Sequence, residues 1–303
     1  MNPHLLTLTL NTSTATLAAP AGFSAAVALR SALGWSLRRQ VCATGAPHCE
    51  GCALRTKCLY GRVFDPLPPE RPIHPSLTSG IPGYALRAVS DAETDALQFE
   101  LVVLAPQPLD VPMLAAALVG AVNGNRQFLE GRARVTQITE QALASPLPLP
   151  EPPSLEDDQA QQPAQFELRC LTPLAVKQDN VELTSGEALR AETLWRLAWR
   201  RLTQYAQLIG ATMPDPAPWR AAALRLSADA SALRLWRTAR TSKTQQGRVH
   251  PIAGLLGSIR VRGPARDVAV LHALLSKAAP LQLGKDTVFG CGAVELGSIH
   301  AAS

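Results

Sequence analysis

The 303-residue sequence lacks the patterns that mark several large classes of protein. No run reaches the roughly 18 to 20 mainly apolar residues of a membrane-spanning helix, which predicts a soluble chain without a membrane partner. The uncharged stretch 1–29 has no basic start and is interrupted by polar residues and proline, so we expect no signal peptide and a cytoplasmic location. Gly-x-Ser-x-Gly, His-Glu-x-x-His and calcium-loop patterns are missing, which excludes the common hydrolase sites.

Acidic side chains are scarce in the second half of the chain. Residues 165–303 hold 18 basic and 10 acidic side chains, whereas residues 1–164 hold 11 and 14. A basic half attracts polyanions by neutralising phosphates and releasing counterions, so nucleic acid is the expected partner. An anionic membrane surface and a merely solvated basic face are the alternatives.

Apolar periodicity is missing between the two halves. From Gln141 to Ala164 it is replaced by proline, acidic residues and glutamine, a composition that cannot build a packed core. This predicts an N-terminal domain over residues 1–145, an extended proline-rich linker over 146–164 and a C-terminal domain over 165–303.

Both halves show the same order of strands and helices. In the first half, elements are expected at 5–10, 24–41, 84–89, 97–104, 111–123 and 132–138. In the second half, they are expected at 166–174, 186–209, 232–241, 252–261, 264–278 and 287–296. Each set reads βαββαβ, which closes a four-stranded antiparallel sheet with both helices on one face. The prediction is an α+β protein of two tandem ferredoxin-like domains.

Glycine is concentrated near the C-terminus, in LQLGKDTVFGCGAVEL from Leu281 to Leu296. Backbone N–H groups approach a phosphate closely only where no Cβ intervenes, and Lys285 adds a positive charge. The spacing is neither that of a nucleotide-triphosphate loop nor that of a dinucleotide fingerprint. The segment is therefore suited to a phosphate, with glycines at a bulge or tight strand entry as the alternative.

Basic side chains also dominate the stretch from Trp219 to His250, where Asp229 is the single acid. The seven basic residues are Arg220, Arg225, Arg234, Arg237, Arg240, Lys243 and Arg248. Trp219 and Trp236 lie among them, and cations with flat rings suit an RNA backbone and unstacked bases. We expect a strip that holds an RNA hairpin, although each residue taken singly also fits a solvated surface or a core.

The first predicted helix gives a second basic site. Trp35, Arg38 and Arg39 lie about one turn apart, and Arg30 lies about two turns before Arg38. These residues are expected to contact RNA. The alternative is a solvated helix end whose arginines suit the negative end of the helix dipole.

Four cysteines follow this helix as an insertion before the second strand. Cys42, Cys49, Cys52 and Cys58 are spaced Cys-x6-Cys-x2-Cys-x5-Cys, with His48 beside them. Four thiolates, or three with an imidazole, can complete a tetrahedral structural zinc site. A loop of reduced thiols is the alternative, since disulfides are disfavoured in the cytosol. The other two, Cys170 and Cys291, are expected in strands as buried small hydrophobes.

Three segments, in the order RTSKTQQGR (240–248), GLLGSIRVRG (254–263) and the glycine-rich ending, resemble the repeat-processing endoribonucleases of CRISPR systems, within the RAMP superfamily. The residues that match the closing motif of that family are Gly284, Lys285, Thr287, Phe289, Gly290 and Gly292. The resemblance implies that these residues contact RNA. The segment CATGAPHCEGCALRTKCLYGRVFDP is similar to the cysteine-bearing insertion of some members.

The resemblance also implies an activity, the cleavage of repeat stem-loops in precursor crRNA without a metal cofactor. The 2′-OH upstream of the cut attacks the adjacent phosphate and leaves a 2′,3′-cyclic phosphate and a 5′-OH. The enzyme would retain the mature crRNA and join other CRISPR effector subunits through it.

The catalytic groups of the family commonly include a histidine with a tyrosine or lysine near the end of the first helix. The residues available in that zone are His48, Lys57 and Tyr60, and Arg38 and Arg39 would stabilise the transition state. A non-catalytic crRNA-binding RAMP subunit of an interference complex is the alternative function. A ribosomal-type or other ferredoxin-like RNA chaperone is a third.

Overall fold

In the computed structural model, the described residues are 2–12, 19–90, 97–124, 128, 133–149, 162–178, 181–242 and 248–302. The chain divides into two compact units. The first comprises Met1–Ser145, Gln207–Ala211 and Val288–Gly290, and the second Pro146–Ala206, Thr212–Thr287 and Cys291–Ser303. Most of the predicted linker, residues 150–161, lies outside the described residues.

The first unit contains one antiparallel sheet. Its strands are β1 (His4–Thr12), β2 (Tyr84–Ser90), β3 (Leu97–Val103) and β4 (Ala133–Ala142), in the order β2-β3-β1-β4. This is the strand order of a ferredoxin-like βαββαβ unit, in which the first and third strands lie side by side at the centre. The sequence prediction for this half is therefore confirmed.

Two helices pack against this sheet, α1 (Ala19–Val41) and α3 (Asp110–Asn123). Leu6, Leu8 and Leu10 are buried at every second position of β1, and Leu29, Leu33 and Leu37 form the buried stripe of α1. Burying each such leucine contributes about 1.5 to 3 kcal/mol. This apolar core fixes the last turn of α1 on the sheet.

The cysteine-bearing segment runs from the end of α1 to a short helix, α2 (Leu59–Val63), that the sequence did not predict. Arg62 of α2 donates two hydrogen bonds to the buried carboxylate of Asp110, of 3.0 and 2.6 Å. Asp110 also accepts a hydrogen bond from the backbone N–H of Gln107, which holds the first turn of α3. Removing either member of such a buried ion pair leaves the other charge uncompensated and strongly destabilises the fold.

The second unit is built on β5 (Pro163–Leu174), β9 (Arg234–Ser242), β10 (Arg248–Pro264) and β11 (Val294–Leu296). Antiparallel pairing links β11 to β5, β5 to β10 and β10 to β9, again the ferredoxin-like order. Two helices, α4 (Ala191–Ile209) and α6 (Ala265–Ala278), bury apolar stripes in this unit. The fold class predicted for the second half is confirmed as well.

Several short elements extend this unit beyond the prediction. A small hairpin of β6 (Lys177–Gln178) and β7 (Val181–Glu182) follows β5, and α5 (Ala217–Leu224) follows α4. Strand β8 (Ser227–Asp229) pairs with β10, and β12 (His300–Ala301) pairs with β5.

One predicted strand is wrong in its extent. Residues 287–296 were expected to be extended, but Thr287–Phe289 forms a 3-10 turn and only Val294–Leu296 pairs with β5. Gly290 and Gly292 adopt positive φ angles of 99° and 84°, which a regular strand excludes. Cys291 accordingly lies between the 3-10 turn and β11 and not in a strand, although it is buried as expected.

No helix in the described parts of the chain is both long enough and apolar enough to cross a membrane.

Candidate functional site

The end of α1 and the cysteine-bearing segment line a solvent-open cavity in the first unit. Its lining includes three of the five predicted catalytic residues, Arg38, His48 and Tyr60. All four predicted zinc ligands also line it: Cys42, Cys49, Cys52 and Cys58. Arg38 at the end of α1 and Tyr60, 22 residues later in the chain, thus line the same concave surface.

Arg38 is held by the segment that follows its own helix. One of its terminal nitrogens donates a hydrogen bond to the backbone carbonyl of Ala46. Its guanidinium carbon lies 5.8 Å from the centre of the Tyr60 ring, over its face. A guanidinium has five N–H donors. After Arg38 has bonded the carbonyl and packed on the ring, other N–H groups remain that can bind an anion.

Tyr60 also stacks on a second aromatic ring. Its ring lies 5.5 Å from that of Phe64 with an interplanar angle of 16°. Burial raises the pKa of the Tyr60 phenol. The phenol therefore stays protonated at neutral pH, so it carries a proton to donate and is not ionised as a general base would have to be.

The other two predicted catalytic residues do not line the cavity. Arg39 and Lys57 are both exposed, Arg39 on the α1 turn that carries Arg38 and Lys57 just before Cys58. His48 is exposed at the cavity edge. The structure thus places Arg38 and Tyr60 together and leaves Arg39 available to solvent and to a ligand.

The two further residues predicted on α1 differ in their surroundings. The Trp35 ring is 59% exposed, so it is free to stack on an unpaired base. Arg30 is instead packed between aromatic rings, 5.3 Å from the centre of Phe64 and 4.9 Å from that of Phe289. Phe289 belongs to Val288–Gly290, which groups with the first unit. Arg30 thus serves packing in this structure.

The four cysteines of the cavity are free thiols of intermediate exposure. The Cys52 N–H donates to the Cys49 carbonyl at 3.1 Å, the tight turn that the Cys-x-x-Cys spacing predicts. The Cys58 thiol lies 4.0 Å from the carbonyl of Val41, next to Cys42. Within the described ranges, however, no three His, Cys, Asp or Glu side chains form a group that could hold a metal ion.

The glycine-rich segment from Leu281 to Leu296 is mostly internal. Thr287, Phe289, Gly290 and Gly292 are buried, whereas Gly284 is half-buried and Lys285 is exposed. A Cβ at Gly292 would lie 1.8 Å from the carbonyl oxygen of Leu283, and one at Gly284 would lie 2.4 Å from that of Ala175. Close approach of the backbone to itself therefore requires these glycines, and of the six residues that match the closing motif only Gly284 and Lys285 are accessible from solvent.

Lys285 has acidic neighbours that the sequence did not reveal. Its ammonium lies 2.8 Å from a carboxylate oxygen of Glu182 and 3.6 Å from one of Asp286. The hydrogen bond from Lys285 lowers the pKa of Glu182. Glu182 lies in the β6–β7 hairpin, 103 residues earlier in the chain, and no local pattern announces this pairing.

We expect this ion pair to moderate RNA affinity. Lys285→Met should weaken binding of a repeat stem-loop by about three- to tenfold and lower the slope of log Kd against log salt by about one, because one phosphate contact is lost. Glu182→Gln should strengthen binding by a few-fold at low salt, because an exposed ion pair costs little to break and the ammonium is freed. Filter binding between 50 and 200 mM salt measures both; equal slopes for Lys285→Met and the unmodified protein would contradict the contact.

The basic strip from Trp219 to His250 is only partly available for a ligand. Trp219 is buried against Trp199, Arg220 pairs with Glu192, and Arg225 pairs with the buried carboxylate of Asp267. Arg234 and Arg237 are exposed on β9, although Arg234 donates to the carbonyls of Ser231 and Leu233. Lys243 lies outside the described residues, as do the side chains of Arg240 and Arg248. Of the basic side chains of the strip that the structure describes, Arg234 and Arg237 are the two that are exposed on β9 and not paired with a carboxylate.

Two family models match the chain in succession. Residues 5–159, half of the chain, match AF_1859_N, described as an N-terminal domain. Residues 168–294 match CRISPR-associated endoribonuclease Cas6. No curated protein sequence matches the chain significantly.

Solved Cas6 structures share the fold at low sequence identity. A Cas6 product complex is 18% identical with a TM-score of 0.55, covering 98% of this chain and 100% of that one. A Cas6 from Thermus thermophilus is 16% identical with a TM-score of 0.53, covering 98% of both chains. A partial Cas6-RT-Cas1–Cas2 complex is 11% identical with a TM-score of 0.51, covering 100% of this chain and 47% of that one. Residues 168–294 thus match a CRISPR-associated endoribonuclease domain of the Cas6 family, and the chain as a whole shares the fold of solved Cas6 structures.

Proposed function

We propose that this endoribonuclease cuts the repeat stem-loops of precursor crRNA without a metal ion and keeps the mature crRNA bound. The observation that carries the proposal is the meeting of Arg38, His48 and Tyr60 on one cavity at the end of α1. An arginine, a histidine and a protonated phenol are the groups that metal-independent RNA cleavage needs.

In the proposed reaction, the 2′ oxygen upstream of the cut attacks the adjacent phosphorus as its proton passes to a base, for which we assign His48. The bond from the 2′ oxygen to phosphorus forms while the bond from phosphorus to the 5′ oxygen breaks. Tyr60 donates its proton to the departing 5′ oxygen, and the products end in a 2′,3′-cyclic phosphate and a 5′-OH. Arg38 and Arg39 stabilise the negative charge that develops on the phosphate oxygens.

The second unit supplies RNA affinity in this proposal. Exposed Arg234, Arg237 and Lys285 contribute positive charge, and Trp35 on α1 offers a stacking surface. Retention of the product crRNA gives other CRISPR effector subunits a shared ligand through which to assemble. A product complex and a Cas6-RT-Cas1–Cas2 complex among proteins of this fold support both expectations by analogy.

A repeat stem-loop with a single 2′-deoxy nucleotide immediately upstream of the cut tests the mechanism. The unmodified RNA should yield a cyclic-phosphate end by mass spectrometry, and the deoxy RNA should bind equally well and stay intact. Binding of both RNAs without any cleavage would favour the non-catalytic subunit. Cleavage of the deoxy RNA would exclude attack by the 2′ oxygen.

We also propose that the cysteine segment binds one structural zinc ion through Cys42, Cys49, Cys52 and Cys58. The shared cavity and the Cys49–Cys52 turn support this, and the sulfur atoms must move closer together on binding, because their present positions do not form a ligand group.

Protein purified without chelator should contain about one zinc per chain by elemental analysis. Cys49→Ser with Cys52→Ser should lose it, whereas Cys170→Ser should not. Zinc-free protein with four titratable thiols in this segment would leave the loop of reduced thiols as the correct description.

A further inference from the structure

A buried arginine lies behind the glycine-rich segment, on α4. Arg201 is 5% exposed, and among the described residues no carboxylate forms an ion pair with it. Burial lowers its pKa to about 10, so the guanidinium still carries its charge at neutral pH. An unpaired buried cation costs several kcal/mol, and a leucine would pack at the same helical position without that cost.

The hydrogen bonds of Arg201 show what it holds. Its Nε donates to the backbone carbonyl of Leu281 at 2.7 Å, and one terminal nitrogen donates to the Gln204 amide oxygen at 3.1 Å. Leu281 closes a 3-10 turn over Ala279–Leu281 and is the first residue of the glycine-rich segment. Arg201 thus holds the backbone at the start of that segment by a hydrogen bond.

The next residue is strained. Gln282 has φ 62° and ψ 151°, in a region that is essentially reserved for glycine, and it is 2% exposed. Such a backbone costs about 1 to 3 kcal/mol and persists only where its surroundings enforce it. The hydrogen bond from Arg201 to the carbonyl of Leu281, the residue before Gln282, helps to hold this backbone conformation.

Backbone hydrogen bonds hold the segment from its other side. The Leu283 N–H donates to the Gly292 carbonyl at 2.7 Å, the Gly292 N–H to that of Pro173 at 3.0 Å, and the Lys285 N–H to that of Ala175 at 2.9 Å. Gly284 and Lys285 therefore occupy a turn whose entry is fixed by Arg201 and whose body is fixed by β5 and the residues that follow it.

We propose that Arg201 is a positioning residue for RNA binding, which holds the Leu281 carbonyl so that Gly284 and Lys285 are presented to a phosphate. This rests on the proposed function, since it takes the Gly284–Lys285 turn as an RNA contact. Arg201 is buried and does not line the cavity at the end of α1. Its loss should therefore affect RNA affinity and leave the chemical step unchanged.

Arg201→Met tests this, because methionine fills similar space without a charge, and the exposed neighbour provides Arg200→Met as the matched control. Hydrogen exchange of amides 283–292 should become at least tenfold faster in Arg201→Met and stay unchanged in Arg200→Met. Kd for a repeat stem-loop should rise about tenfold, with the single-turnover rate at saturating protein unchanged. In Arg201→Met the further change Lys285→Met should add little, because both act through one contact.

Unchanged exchange of amides 283–292 in folded Arg201→Met would overturn the positioning role. Faster exchange with unchanged Kd in both Arg201→Met and Lys285→Met would support the positioning of the turn and overturn its contact with RNA. If Arg201→Met does not fold, Arg201→Lys replaces it in every arm. Lysine keeps the charge but cannot bond Leu281 and Gln204 with the same fork.

Discussion

Replacing Arg38 and Arg39 together by alanine should slow single-turnover cleavage of a repeat stem-loop by about 100- to 1,000-fold, while Kd rises less than tenfold. Arg38 is held by the Ala46 carbonyl and the Tyr60 ring, and the proposed mechanism places the developing negative charge beside it. Arg39 is exposed on the same turn. Donors that act on the transition state affect the rate more than the binding of the ground state.

The matched control is the exposed pair Arg196 and Arg200, four residues apart on α4. Changing both to alanine removes the same amount of charge far from the proposed chemistry in sequence, and the single-turnover rate should stay within about threefold. Equal losses of rate in the two double variants would mean that Arg38 and Arg39 act only through net charge. An unchanged rate in Arg38→Ala with Arg39→Ala would remove them from the chemistry altogether.

Gly292→Ala should be strongly disruptive, because among the glycines that the structure describes in the second unit its added Cβ would approach a neighbouring atom most closely. The new Cβ would lie 1.8 Å from the Leu283 carbonyl oxygen, which is backbone and cannot rotate away, and φ is 84°. Strain and displacement together should cost about 3 to 5 kcal/mol in the free energy of unfolding. Because the same hydrogen-bonded turn carries Gly284 and Lys285, stem-loop binding should fall with it.

Gly210→Ala is the matched control for that substitution. Gly210 also has a positive φ, 68°, but nothing lies within 4 Å of its Cβ position. It should cost only about 1 kcal/mol, the price of the backbone conformation alone. Urea unfolding followed by tryptophan fluorescence compares the two variants, and equal shifts would show that φ, and not the close approach of Leu283, accounts for Gly292.

The repeated βαββαβ order was predictable because apolar periodicity is a local signal. Leu6, Leu8 and Leu10 alternate in β1, and Leu29, Leu33 and Leu37 recur at helical spacing in α1, so sheet and helix could each be recognised from a short window. Over residues 287–296 the sequence was misleading. Most apolar residues there are buried in irregular backbone, and a run of buried apolar residues without regular hydrogen bonding has the same sequence pattern as a strand.

The family resemblance pointed to the end of the first helix, and in the structure Arg38, His48 and Tyr60 line one cavity there. The contacts made by distant residues could not be predicted. No sequence pattern relates Lys285 to Glu182, or Arg201 to the carbonyl of Leu281 80 residues later, because these contacts arise only when distant segments pack together. In the sequence, the glycines were interpreted as a phosphate-binding motif. In the structure, close packing against the Leu283 backbone is the reason that residue 292 must be glycine.

The most direct test of this account is incubation of the purified protein with an end-labelled repeat stem-loop in excess EDTA. We predict one cut at a unique position, a 2′,3′-cyclic phosphate on the upstream product, and a product that stays bound through gel filtration. Cleavage that requires added Mg²⁺ and leaves a 3′-OH would contradict the metal-independent mechanism assigned to the cavity at the end of α1.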